Sequence, residues 1–199
     1  NKELYDSLLT FLDSSDDDPS YFQQLKDIIY KKNLIKDCQK LQEFLQLLTS
    51  ISNNYRGNEF LFKNMTHIIQ HYESKIKQNI SNIEIYNIFE SNKKILLYLF
   101  QKKIITIDDS IYNRLLSKIE INGTRYCHFF YPEIKKFVGQ KKIKDIKKEL
   151  LAEESNIFDC FDEKRKKGEN DSYICSLIRE DSVEKFVEYV NRTSISLNS

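Results

Sequence analysis

The sequence predicts an all-α fold of consecutive antiparallel helix pairs in a solenoid-like arrangement. Three observations carry that expectation. Apolar residues recur at spacings of three and four through nearly every segment, which is the helical period. No stretch alternates apolar and polar residues convincingly, and "IITI" at 104–107 is the sole strand candidate. Most segments are joined by short runs of turn residues, and connections this short force neighbouring helices to pack on each other.

In chain order, Leu4, Leu8, Leu9 and Leu12 form a first stripe. The acidic "DSSDDDPS" then ends in Asp18-Pro19, which reads as an N-cap followed by a proline at the first helical position. Tyr21, Phe22, Leu25, Ile28 and Ile29 line the next face. After a break near Lys32-Asn33, the stripe Cys38, Leu41, Leu45, Leu48 resumes the period. "NNYRGN" at 53–58 has the residues of a loop, and Phe62, Met65, Ile69, Tyr72 and Ile76 mark the helix beyond it. Shorter helices are expected at 83–90, 93–103 and 109–119, the last capped by "DDS". "INGT" at 121–124 is a turn, and in "YCHFFYPEIKKF" at 126–137 Pro132 must begin or kink a helix. A lysine-rich amphipathic stretch covers 141–151, and the polar "FDEKRKKGEN" marks a boundary. Two domains follow from this: a helical head over residues 1–165 and a helix pair over 166–199.

Bulk properties narrow the function classes. A chain of 199 residues can bury roughly 70% of its unfolded surface, enough for a core without staples. Hydrophobic residues are 40% and charged residues 31%, a globular balance. The 31 basic and 30 acidic side chains leave a net charge of +1, which argues against a dedicated nucleic-acid binder. No apolar run approaches the roughly 20 residues of a membrane span; "ILLYLF" at 95–100, flanked by lysines, reads as one buried helix. Cys38, Cys127, Cys160 and Cys175 form no CxxC pair, so neither a zinc site nor a disulfide framework is indicated, and a cytoplasmic location is expected. Five N-x-S/T triplets, "NMT" at Asn64 among them, read as chance in an asparagine-rich chain.

No catalytic, cofactor-binding or metal-ligating residue is expected. His67 and His71 lie four apart on one helix and could reach a common metal. The metalloprotease pattern, however, needs glutamate directly after the first histidine, and Ile68 stands there. The pair therefore reads as a solvated or partly buried face. Adjacent Cys127 and His128 would point about 100° apart on a helix and make a poor nucleophile–base pair. Asp13, Asp16, Asp17 and Asp18 lack the glycine and closing glutamate of a calcium loop. No phosphate-cradling glycine pattern and no GxSxG occurs. Lys141, Lys142, Lys144, Lys147 and Lys148, followed by "KRKK" at 164–167, make the densest basic region. It could meet an acidic protein surface, but the interleaved Asp145 and Glu149 make an ordinary charged face the simpler reading.

The C-terminal residues suggest a repeat. "SYICSLIRED" matches the first helix of an ankyrin unit, with Ile174, Leu177 and Ile178 inward. "SVEKFVEYVNR" matches the second, with Val183, Phe186, Tyr189 and Val190 inward, and "TSISLN" takes the place of the following loop. Ser172-Tyr173 replaces Thr-Pro, Asp181 replaces the turn glycine, and bulky residues stand where alanines normally let the helices approach. A weaker echo lies at "IYNIFESNKKILLYLFQKKIIT" (85–106).

More specifically, "SNKKILLYLFQKKIITID", "FFYPEIKKF" and "FDEKRKKGENDSYICSLIREDSVEKFVEYVNRTSISL" resemble the N-terminal helical region of the trichomonad ankyrin-repeat protein family, a segment of unknown function that precedes an ankyrin array. The resemblance implies a head domain with further repeats beyond Ser199, protein–protein interaction, and no catalytic or ligand residues to carry over. Two functions follow as expectations. The first is a non-enzymatic adaptor or scaffold that binds protein partners. The second is a structural component of a cytoskeletal or microtubule-associated assembly, docked through the lysine-rich region.

Overall fold

Local signals set the helix ends. The computed structural model describes residues 2–15, 19–54, 59–117, 129–137, 182–185 and 187–188. These contain nine named helices: α1 (Lys2–Asp13), α2 (Pro19–Lys31), α3 (Cys38–Asn54), α4 (Glu59–His71), α5 (Glu73–Asn79), α6 (Asn82–Phe89), α7 (Lys93–Gln101), α8 (Asp109–Ser117) and α9 (Tyr131–Phe137). Pro19 opens α2, where its missing N–H costs nothing. Asp37 caps α3 by accepting from the Lys40 N–H at 2.9 Å. Within the expected "DDS" cap it is Asp108 that accepts from the Ile111 N–H, also at 2.9 Å. Pro132 lies in the first turn of α9.

Two helices stop at residues with left-handed backbones, Asn33 at φ 53° and Lys103 at φ 56°. Beyond each, an N–H reaches back five residues, Leu34 to the Ile29 carbonyl at 3.1 Å and Ile104 to Leu99 at 2.9 Å. The second of these ends explains the strand candidate. Ile104 and Ile105 are buried plugs at the close of α7, not an extended edge, and no strand occurs among the described residues.

The observed fold class is the expected one: all-α, built from packed helix pairs. α1 packs on α2 and α4, and α4 in turn on α3, α5 and α7. α3 packs on α6, which also meets α7 and α8. The result is two rows, α1–α4–α7 and α3–α6–α8, joined where α3 meets α4 and α6 meets α7. Packing two or three helices along the chain accompanies the consecutive pairs, which makes the stack solenoid-like. Leu8, Leu25, Leu41, Leu45, Leu48 and Ile68 are fully buried between the elements.

Several expected stripes shift by a position. Phe11, not Leu9, joins Leu4, Leu8 and Leu12 inside. In α2 Phe22, Leu25 and Ile29 are buried, while Tyr21 is exposed and Ile28 half-buried. Cys38 is exposed at the first position of α3, and its Sγ donates to the Asn79 carbonyl at 2.9 Å. The helix expected across Tyr72 divides there into α4 and α5.

The chain separates into two compact units, Asn1–Lys147 and Lys148–Ser199, and α1 to α9 all belong to the first. The expected boundary at 165/166 lies outside the described residues. In the second unit residues 183–185 and 187–188 are helical. Val183 was expected inward but is 65% exposed, beside Val187 at 49%. Four residues apart, the two share one face.

Candidate functional site

Among the described residues of the first unit, two places gather side chains with chemistry. The first is a corner where α1, α2 and α4 meet. The helical step sets His67 and His71 on one face of α4, and both rings reach Phe22 of α2, at centroid distances of 4.3 and 5.1 Å. Phe11 stacks on Phe22 at 5.0 Å, and the Lys26 Nζ lies 5.2 Å from the Phe22 ring centre. Burial, then the Lys26 charge, then His67 hold the His71 imidazole below its ordinary value of 6.5. Burial also pushes the neighbouring Tyr72 hydroxyl up to about 12. The imidazoles thus serve as ring surface against Phe22. Among the described residues no three His, Cys, Asp or Glu side chains gather as a metal site.

The same corner is locked by Asn64 of α4, only 7% exposed. Its Nδ2 donates towards the carbonyls of Phe11 at 2.9 Å, Leu12 at 3.3 Å and Ser14 at 3.0 Å. One amide therefore closes the end of α1, where carbonyls lack helical partners. The "NMT" triplet at Asn64 is accordingly a packing element, its amide turned inward.

The second place is a groove of about 350 Å³ between α3 and α6. α3 contributes Gln42, Gln46, Thr49 and Asn53, which fall at i, i+4, i+7 and i+11 and so form one polar ridge beside the buried Leu41–Leu45–Leu48 stripe. α6 contributes Glu84, Asn87 and Ile88. Glu84 is fixed at the helix start by Ser81, whose N–H donates to Oε2 at 2.9 Å and whose hydroxyl donates to the same oxygen. The two stand in the S-x-x-E relation of a capping box. Gln42 Nε2 adds a bond across the groove to Glu84 Oε1 at 3.1 Å. The Ser81 hydroxyl first, then its N–H and Gln42, hold the Glu84 carboxyl below the usual carboxylate range.

Further along, Asn53 Nδ2 donates to Ser91 Oγ at 2.8 Å, and Asn92 Nδ2 donates to Ser52 Oγ at 3.0 Å. These bonds rivet α3 to the α6–α7 turn. Other polar groups in the groove are unused. Asn53 Oδ1 is shielded from solvent and accepts no hydrogen bond among the described residues. The side-chain amides of Gln46 and Asn87 make none among the described residues. Sequence reasoning followed the apolar stripes and missed this ridge. Its signal was an amide stripe at the helical period along the flank of α3.

The remaining sequence candidates lie elsewhere. Asp13 is exposed at the end of α1, and Asp16, Asp17 and Asp18 are outside the described residues. So are Cys127, His128, Lys141, Lys142, Lys144, Lys147 and Lys148, and the ankyrin-like pair apart from residues 182–185 and 187–188.

No family model matches the chain, and no solved structure matches it. Among curated proteins it is similar to reticulocyte-binding protein homolog 1 of Plasmodium falciparum (isolate 3D7), 28% identical over 169 residues. That alignment takes in 74% of this chain and spans 6% of the other protein. No described helix is long and apolar enough to cross a membrane.

Proposed function

We propose that this chain is a non-enzymatic protein–protein interaction module, an adaptor or scaffold that presents a polar recognition groove on a stack of helices. The observation that carries the reading is the α3–α6 groove. Unused carboxamides from two helices face a common space, on a frame riveted by Asn53–Ser91 and Asn92–Ser52. Stacked helix rows supply binding surfaces of this kind without moving parts. The similar Plasmodium protein carries a name that denotes binding, which agrees in class. Under this reading the chain is the head of an ankyrin-repeat protein, and the pair at 166–199 begins its array.

The test is affinity capture with the whole chain as bait, compared with a Gln46→Arg/Asn87→Arg double variant that fills the groove with bulky cations. We expect a protein partner retained by the parent chain and lost by the variant, with both melting alike. Capture of no protein above background by the parent chain would overturn the reading.

A further inference from the structure

We propose that the α3–α6 groove binds an extended peptide segment bearing a lysine or arginine, through main-chain hydrogen bonds to carboxamides and the charge of Glu84. This rests on the interaction reading above and narrows the class of partner. A carboxamide is a side-chain copy of the peptide group, with a carbonyl acceptor and N–H donors. The molecule already uses one in this way. Asn82 pairs with the non-helical main chain of Thr106, its Oδ1 accepting from the Thr106 N–H at 2.9 Å and its Nδ2 donating to the Thr106 carbonyl at 2.6 Å.

The groove repeats that chemistry with no partner for Gln46, Asn87 or Asn53 Oδ1 among the described residues. A shielded acceptor without a donor is costly, and a peptide N–H entering the groove supplies one after a small rotation of the Asn53 amide. Spacing also fits. Gln42 and Gln46 are about 6 Å apart along the helix axis, close to the two-residue repeat of an extended chain, about 6.7 Å. From Gln42 to Asn53 the ridge runs about 16 Å, the length of roughly five extended residues. A helical partner would not answer this surface, because its own main-chain groups are already bonded internally.

Charge selects the side chain. Glu84 is held in place by Ser81 and Gln42, and no cation pairs with it among the described residues. An anionic ligand would be repelled there. A lysine or arginine would place its head on Glu84 and lay its aliphatic stem along Ile88.

The test is an NMR titration of the whole ¹⁵N-labelled chain. The probe is a pool of short peptides, about seven residues long, built from Gly, Ser and Ala around a central lysine, with a glutamate-centred pool as control. The lysine pool should shift the side-chain amide resonances of Gln46, Asn53 and Asn87, and the glutamate pool should not. Asn87→Leu should weaken the lysine pool roughly tenfold, the worth of a hydrogen bond. E84Q keeps the capping relation, since glutamine also serves at that helical position, and should abolish the lysine preference. Unmoved amide resonances, equal shifts with both pools, or a preference that survives E84Q would each overturn the proposal. The titration needs no native partner, so its failure is separable from that of the wider reading. A chain that captures a protein but ignores both pools keeps the interaction function and loses this ligand class.

Discussion

The corner of α1, α2 and α4 and the groove between α3 and α6 use the same polar residue type to opposite ends. At the corner, Asn64 turns its amide N–H groups onto carbonyls at the end of α1, inside a ring-lined core. In the groove, the Asn87 amide is exposed and makes no bond within the described chain, and Asn53 uses its Nδ2 but not its Oδ1. A polar group in a core usually keeps a partner, because desolvation without one costs about 1–3 kcal/mol. A rigid, half-buried amide left unsatisfied is therefore the more informative of the two. It marks where the fold stops serving its own stability.

The largest effect should come from emptying the corner. Phe22 is 7% exposed and touches Phe11, His67 and His71, so Phe22→Ala should cost about 3–5 kcal/mol in urea unfolding. A loss below that of a surface substitution would mean the rings do not form a core.

The comparison itself is tested by one substitution made twice. Asn64→Leu should cost about 2–3 kcal/mol, since the α1 carbonyls lose their donor. Asn87→Leu should stay within about 0.5 kcal/mol, as surface changes usually do. Equal costs, measured by the same melts, would erase the distinction between the two regions.

A smaller gain is expected from Tyr86 of α6. Its side chain is fully buried and its hydroxyl has no partner among the described residues, while burial first and the Glu90 charge second push its pKa up. Tyr86→Phe removes an orphaned hydroxyl at almost constant volume and should raise stability by up to about 1 kcal/mol. Destabilisation by that amount would show that the hydroxyl is bonded after all.

How much of this was legible in the sequence follows from what periodicity can see. Stripes at three and four located the helices because core burial repeats with the helix turn, and Asp108 and Pro19 were readable because capping is local. Phe11 takes the inward place expected of Leu9 because it falls at i+7 from Leu4, on the face of Leu8 and Leu12, whereas Leu9 lies to the side of it. Asn64 and Asn82 were invisible for a different reason. Their partners lie about 50 and 24 residues away, and hydrogen bonds across that separation leave no local pattern. The amide ridge of α3 lay in view but was masked by the apolar stripe beside it.

The smallest effect concerns pH at the corner. The His71 imidazole faces Phe22 and is hemmed by Lys26 of α2, with His67 and Tyr72 on its own side, so its folded pKa lies below 6.5. The unfolded chain then binds the proton more readily than the folded one. Stability is fully present above pH 6.5 and is lost as pH falls from there through the folded pKa. The ring is largely exposed, so solvent screens the penalty and the loss should be slight. The melting temperature should fall modestly between pH 7 and pH 5, more steeply in the parent chain than in His71→Gln, where the glutamine keeps a polar, uncharged group beside Phe22. If the two chains lose stability in parallel across that window, the titration belongs to other groups and His71 is a spectator in the stack.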